Sequence, residues 1–546
     1  MGILLHIITM NREFDVIIIG GGATGAGVAR DCALRGIKAL LIERHDIATG
    51  ATGRNHGLLH SGARYAVNDR ESAEECIREN MILRRIASHC VEDTGGIFIS
   101  LPEDGLDFQK KFIESCLAAG ISAEAIDPKE ALLLEPSVNP MLIGAVKVPD
   151  GSVDPFRLTA ANIMDARLHG AQVLTYTRVD ELIIESGKVV GVKVTDTISG
   201  EKSEYRATIT VNACGIWGRD LAAKAGVTIN MLPAKGALLV FGHRVNNVVI
   251  NRCRKPADAD ILVPGDNITV IGTTSSKVPF DQCDDMYVTR EEVDLLLREG
   301  SMLAPALNHT RILRAYAGVR PLVASDDDPS GRSVSRGIVV LDHATRDGVE
   351  GFVTITGGKL MTYRLMAEWT VDLICKKLSI DAKCTTADTP LPGSQQGATE
   401  GGKRKVPTEN LGKASAYYRH GEKAEKIDNS TATKRALVCE CEQVTVGEVE
   451  YAVSELGVNN LIDLRRRTRM GMGTCQGSLC ACRAASVMAG AGSMCADKAK
   501  AELKNFVAER WKGMSSVAWG DTLREGELLS WLYDGVCDLS NNSKEE

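Results

Sequence analysis

A glycine-rich turn, Gly20-Gly21-Gly22-Ala23-Thr24-Gly25, stands between the apolar run Val16 to Ile19 and a helical pattern at Val28 to Leu34. No other feature constrains the fold as strongly. Four consecutive apolar residues read as a strand buried on both faces. A GxGxxG turn that leaves such a strand and enters a helix has one well-understood purpose. Gly20 allows the tight turn, Gly22 lets a pyrophosphate approach the backbone, and Gly25 lets helix and strand pack closely. The helix N-terminus then offers N–H groups and a positive dipole end to the phosphates. Ala39 to Ile42 reads as the next strand, and it delivers Glu43, an acid about 20 residues on, which suits ribose hydroxyls and repels a 2′-phosphate.

Two later segments favour FAD over NAD at this site. Val211 to Gly218 (VNACGIWG) reads as a strand running into a small-residue turn, with Ala213 and Gly215 placed for a second close approach. Thr356-Gly357-Gly358-Lys359 precedes a helical pattern at Leu360 to Leu378, and two glycines there let backbone lie against a flat ring. The helix start suits negative charge on a reduced ring system. Further strand signals lie at 189–194, 209–211, 238–241, 268–271, 338–341 and 352–355, and helical ones at 73–86, 155–169 and 290–297. The fold class expected is α/β: a discontinuous, Rossmann-like FAD domain with an inserted mixed-sheet substrate domain over residues 1–385. Residues 386–433, rich in Gly, Ser, Thr, Pro and Lys, read as linker or loosely packed surface. A cysteine module follows at 434–490, and a helical segment closes the chain at 491–546.

Composition narrows the function. The 546 residues carry a net charge of −7, which argues against a general nucleic-acid binder. No stretch reaches the roughly 18 apolar residues of a membrane span. Met1 to Met10 is apolar but short, lacks a basic start and a cleavage site, and reads as a frayed extension. Most of the 16 cysteines are scattered singly, as in a reduced cytoplasmic protein.

The segment Ala48 to Tyr65 (ATGATGRNHGLLHSGARY), together with Ala317 to Leu322 (AGVRPL) and Gly357 to Arg364 (GGKLMTYR), resembles the FAD-dependent glycerol-3-phosphate dehydrogenases. With the cysteine module added, the chain resembles the anaerobic, multi-subunit branch of that family. The resemblance implies oxidation of sn-glycerol 3-phosphate to dihydroxyacetone phosphate. It implies companion B and C subunits, with electrons reaching the quinone pool through C. It also implies a place at the cytoplasmic face of the inner membrane, held there by those partners. By family position, Arg64, Tyr65, Arg320 and Arg336 hold substrate, where planar guanidinium forks suit a phosphate. Arg320 thereby also stands at the reaction centre. His60 and Lys359 are the candidates for base or charge stabilisation near the reacting carbon. A histidine common after the Lys-Gly pair in the single-subunit branch is here Ala237, and that branch's GTTD-like turn reads Gly272-Thr273-Thr274-Ser275. Transfer of the base is therefore open. So are two other functions: dehydrogenation of a 2-hydroxy or amino acid, since carboxylates also use arginines, and a flavin-fold scaffold without catalysis.

Cys439-Glu440-Cys441 and Cys475 to Cys480 place a CxC pair and a Cx₄C pair in one short module. Four thiolates hold a [2Fe–2S] cluster, and the pattern resembles bacterioferritin-associated-ferredoxin-like modules. Zinc, or no metal, remain alternatives. Arg465, Arg466, Arg467 and Arg469 lie between the pairs, where their charge is expected to offset the thiolates.

Overall fold

The structure is a computed structural model that describes residues 12–323, 337–394, 411–537 and 539. The N-terminal extension and Arg336 lie outside the described residues.

Val16, Ile17 and Ile18 are fully buried, which explains why β1 (Glu13–Ile19) has no polar alternation. It pairs in parallel with β2 (Ala39–Ile42) on one side and β3 (Lys202–Asn212) on the other. Gln172–Leu174 extends the parallel sheet beyond β2, and Phe352–Gly357 extends it beyond the end of β3. The FAD-type domain is thus assembled from segments far apart in the chain. Helix α1 (Ala23–Leu34) crosses one face of this sheet, and its small residues allow near contact. A Cβ on Gly27 would lie 2.9 Å from the Tyr363 ring of helix α2 (Tyr363–Leu378).

A second, mixed sheet forms the inserted domain. Its longest pairing joins β4 (Met231–Phe241) antiparallel to β5 (Ile312–Val323) along their full lengths. Strand β5 runs from the C-terminal module toward the parallel sheet. At roughly 3.3 Å per residue, this one strand runs most of the way between the two.

The C-terminal module has its own apolar core, built on Leu461, Leu464, Met470, Ala484, Met488, Leu503 and Phe506. Helices α3 (Leu461–Thr468) and α4 (Ala496–Met514) carry much of it.

The segment expected as loose linker is more structured than its composition implied. Leu411–His420 is a helix and Gly421–Lys426 a 3₁₀ turn. Polar composition concealed the cause, which is a buried ion pair. Arg419 and Glu448, both at most 2% exposed, meet at 2.5 Å, and His420 joins the same carboxylate at 2.8 Å.

Candidate functional site

The backbone at the first turn has no room for side chains. Gly20 has φ of +115°, and a Cβ there would meet the Ala213 carbonyl oxygen at 2.5 Å. A Cβ on Gly25 would lie 1.9 Å from the Gly20 oxygen. Gly22, the N-cap of α1, is more open: its nearest neighbour would be Thr52 Oγ1 at 3.1 Å. Thr52 in turn accepts from the Ala23 N–H at 3.0 Å. Glu43 Oε2 accepts from the Gly21 N–H at 2.6 Å and Oε1 from the His45 N–H at 2.9 Å. Burial raises this carboxyl above its ordinary range, and the two N–H groups oppose the rise.

These residues line a cleft of about 680 Å³ that also takes in Ala213, Gly215, Gly357 and Gly358. Gly357 and Gly358 have φ of +76° and +67°. Their Cβ atoms would collide with the Gly337 oxygen and the Met366 sulfur, at 2.4 and 2.5 Å. A 3₁₀ turn, Leu360–Thr362, separates them from α2, so the long helix starts later than the sequence pattern implied. Along the cleft, Trp217 Nε1 and Lys359 Nζ are buried without a hydrogen-bond partner among the described residues. Glycines where a Cβ is excluded, and orphaned donors facing a cleft, fit a bound dinucleotide that supplies both contact and acceptors.

The far end of the same cleft collects the expected substrate residues. His60, Arg64, Tyr65, Arg320 and Lys359 all line it. The Lys359 ammonium stands 4.6 Å from the Tyr65 ring centroid, and the His60 ring 5.6 Å from the same ring. Arg320 is held in place by acceptors. It donates to the Thr273 hydroxyl, to the Thr274 carbonyl at 3.1 Å and to the Lys235 carbonyl at 3.4 Å. Gly236 leaves the necessary space, since a Cβ there would be 2.7 Å from the guanidinium. Arg64 donates to the Ala257 carbonyl at 2.7 Å and lies 3.5 Å from Asp260.

His56 also lines this end, and the sequence reading passed over it. It stands four residues before His60 in the segment that carried the family resemblance. Burial, then the nearby Arg320 and Arg64, push its imidazolium down to about 3. Its Nδ1 accepts from the Leu58 N–H at 3.2 Å, so the neutral ring carries its proton on Nε2. Thr273 and Thr274 stand out in the sequence only as part of a turn whose last residue, Ser275, departs from the family, and they prove to be the acceptors that orient Arg320.

In the module, the four candidate thiols lie beside one another, Cys441 next to Cys475, Cys475 next to Cys480 and Cys480 next to Cys439. Among the described residues, no group of three or more His, Cys, Asp or Glu converges on a single metal position. The donor set of four adjacent thiols fits a binuclear centre that takes two sulfurs per iron.

The arginine run does not serve as one block. Arg466 and Arg467 reach Asp46 of the FAD-type domain at 3.0 and 2.5 Å. Arg469 reaches Asp154 at 3.2 Å, Asp266 at 2.6 Å and Glu442 at 3.0 Å. These three are neutralised by carboxylates and fasten the module to the rest of the chain. Arg465 differs, for it makes no ion pair among the described residues. Tyr176 strengthens the same contact between module and domain by donating to both Asp463 oxygens at 2.8 Å.

Residues 15–364 match the family model described as FAD dependent oxidoreductase, and 437–489 the BFD-like [2Fe-2S] binding domain. A Haemophilus influenzae protein, named as the A subunit of anaerobic glycerol-3-phosphate dehydrogenase, is 63% identical, over 96% of this chain and 94% of its own. The protein of the same name in Escherichia coli K12 is 62% identical, over 98% and 99%. Among solved structures, glycerol-3-phosphate dehydrogenase from Bacillus halodurans complexed with FAD superposes with a TM-score of 0.68. It is 23% identical and covers 92% of this chain and 95% of its own, which supports the fold.

Proposed function

The chain belongs to the FAD dependent oxidoreductase family, in the group of the anaerobic glycerol-3-phosphate dehydrogenase A subunits, and we propose that it is the catalytic subunit of an enzyme oxidising sn-glycerol 3-phosphate to dihydroxyacetone phosphate. The observation that carries this reading is the convergence of Arg320, Arg64 and Lys359 with two histidines at one end of the dinucleotide cleft.

Bound FAD supplies the hydride acceptor. Arg320 and Arg64 bind the phosphate, with Arg320 pre-oriented by Thr273 and Thr274. Such charge-assisted bonds contribute about 1.5–3 kcal/mol each. The secondary hydroxyl must lose a proton as its carbon loses hydride. His60 takes that proton in this reading. His56 is a poor base because its ring is held neutral and its Nδ1 is occupied, so it serves as an Nε2–H donor toward substrate oxygen. The Lys359 ammonium stabilises negative charge developing on that oxygen or on the reduced ring system.

Cys439, Cys441, Cys475 and Cys480 would hold a [2Fe–2S] cluster, which would supply a one-electron carrier toward companion subunits and the quinone pool. Support comes from the match to the BFD-like domain and from the names of the relatives, which mark each as one component of a larger enzyme. Among the described residues no helix is long and apolar enough to cross a membrane, so peripheral attachment through partners is the matching proposal. Trp511, Leu528, Trp531 and Val536, on the last helices, are each more than half exposed and suit a partner surface.

A substrate panel with an artificial dye acceptor tests the reading. Glycerol 3-phosphate should be oxidised far faster than glycerol, lactate or amino acids. Equal rates with a carboxylate substrate would overturn it.

A further inference from the structure

Where the module meets the FAD-type domain, Arg54, Arg314 and Arg465 make no ion pair among the described residues. Each belongs to a different part of the chain. Arg54 lines the dinucleotide cleft, and its carbonyl packs against Gly318. Arg314 lies on β5, against Gly513 of α4. Arg465 lies on α3, its guanidinium carbon 5.8 Å from the Phe506 ring centroid. The Nε atoms of Arg314 and Arg465 are buried without a hydrogen-bond partner among the described residues.

Arg314 acts on both of the others. Arg465 is pushed down to about 9 by burial and by Arg314 and Arg466. Arg54 is lowered by burial, with Arg466 and Arg314 adding to it. Glu509 is the carboxylate that faces both, and Asp284 faces Arg54. Other arginines near the cysteines differ. Arg466, Arg467 and Arg469 are paired as described, and Arg510 has Ser478 at 2.5 Å and Glu525 at 3.5 Å.

The seam leads from one redox site to the other. Beyond Arg465, the Phe506 ring fills the space over Gly471 and Gly477, where Cβ atoms would lie 2.8 and 2.5 Å from it. Gly477 stands between Cys475 and Cys480 in the sequence. Three half-buried like charges faced only by Glu509 and Asp284 are costly to hold together, so their retention calls for negative charge that arrives during turnover.

We propose that Arg465 and Arg314 are positioning residues for electron transfer, whose charge, without an ion pair among the described residues, favours electrons on the cysteine-held cluster over the FAD. The proposal rests on the cofactor assignment above. The alcohol gives up two electrons as a hydride. One of them then reduces a ferric iron of the cluster to ferrous, and the second follows once an external one-electron acceptor has emptied it. At a separation of roughly 10 Å and an effective dielectric of about 20, one guanidinium changes the electron affinity of a centre by about tenfold.

The test uses the full-length, FAD- and iron-loaded protein, reduced anaerobically with less than one equivalent of dithionite. Electron paramagnetic resonance reads the reduced cluster and absorbance the reduced flavin. In Arg465→Met the ratio of reduced cluster to reduced flavin should fall about tenfold, whereas Arg465→Lys should match the parent. An unchanged ratio in Arg465→Met, or an equal fall in Arg465→Lys, would overturn the proposal. If Met at 465 costs the fold, Arg314→Met is read the same way, with the same direction expected. A parent protein without iron would also overturn it. Because dithionite replaces the substrate, failure of the glycerol phosphate reading leaves this test standing.

Discussion

The Arg311 guanidinium donates to the Thr474 carbonyl at 2.9 Å, which ties the loop between the cysteine pairs to the residue just before β5. Five residues further along, the Tyr316 hydroxyl donates to the Asn55 carbonyl at 2.9 Å, at the dinucleotide cleft. Four residues beyond that stands Arg320. A single strand therefore connects the cysteine module, the cofactor cleft and the phosphate-binding end, and distances between them are set by covalent geometry.

Gly22→Val should yield a folded but colourless protein. The side chain enters the space kept for the pyrophosphate, yet its nearest neighbour is a hydroxyl that can move. Gly25→Ala should instead destabilise the fold, because its Cβ collides with backbone at 1.9 Å. Flavin absorbance and thermal unfolding of the two variants separate these outcomes. Full flavin absorbance in Gly22→Val would remove the assignment.

Arg320→Ala should reduce the preference for glycerol 3-phosphate over glycerol by about 10- to 100-fold, from the loss of one charge-assisted contact of about 1.5–3 kcal/mol. Thr273→Val should produce a smaller loss in the same direction, since it frees the guanidinium that Thr273 orients. Kinetic constants for both substrates give the answer.

His56 gives stability a defined pH dependence. Its folded value is held at about 3 against an ordinary 6.5, so below 6.5 the unfolded chain binds the extra proton. The contribution is fully present above pH 6.5 and is lost as pH falls toward 3, at about 1 kcal/mol per pH unit. His56→Gln should flatten this part of the stability profile, as read by urea unfolding at a series of pH values. A profile unchanged in His56→Gln would show that the ring titrates normally.

Asp46→Ala should loosen the module. It strands Arg467 and leaves Arg466 with Asp463 alone, and breaking a buried ion pair costs about 3–5 kcal/mol. Calorimetry should show the C-terminal module unfolding at lower temperature than the FAD-type domain. Flavin binding should survive.

The sequence pattern carried the cofactor end of the site well, because backbone demands for glycine are local and leave their mark in consecutive residues. Gly20, Gly25, Gly357 and Gly358 each occupy a position where a Cβ is excluded. The polar partners were much less legible. Asp46 meeting Arg467, Asp266 meeting Arg469, and Thr273 orienting Arg320 are pairings across long sequence separations, with no periodicity to announce them. The arginine run illustrates the point. Four neighbouring charges looked like one electrostatic block, but helical geometry turns them to different faces, and each meets a different environment. The ordered helix at 411–420 was illegible for the same reason, since its stability comes from Glu448 and not from its own composition.

The most direct measurement is an anaerobic titration of the isolated chain with sn-glycerol 3-phosphate, following flavin absorbance and the cluster's electron paramagnetic resonance together. The account predicts that the flavin bleaches on substrate addition and that a signal from a reduced [2Fe–2S] cluster appears, with about two non-flavin irons per chain. Cys475→Ser should retain the bleaching and lose the signal. A flavin that stays oxidised in the presence of glycerol 3-phosphate would contradict the account.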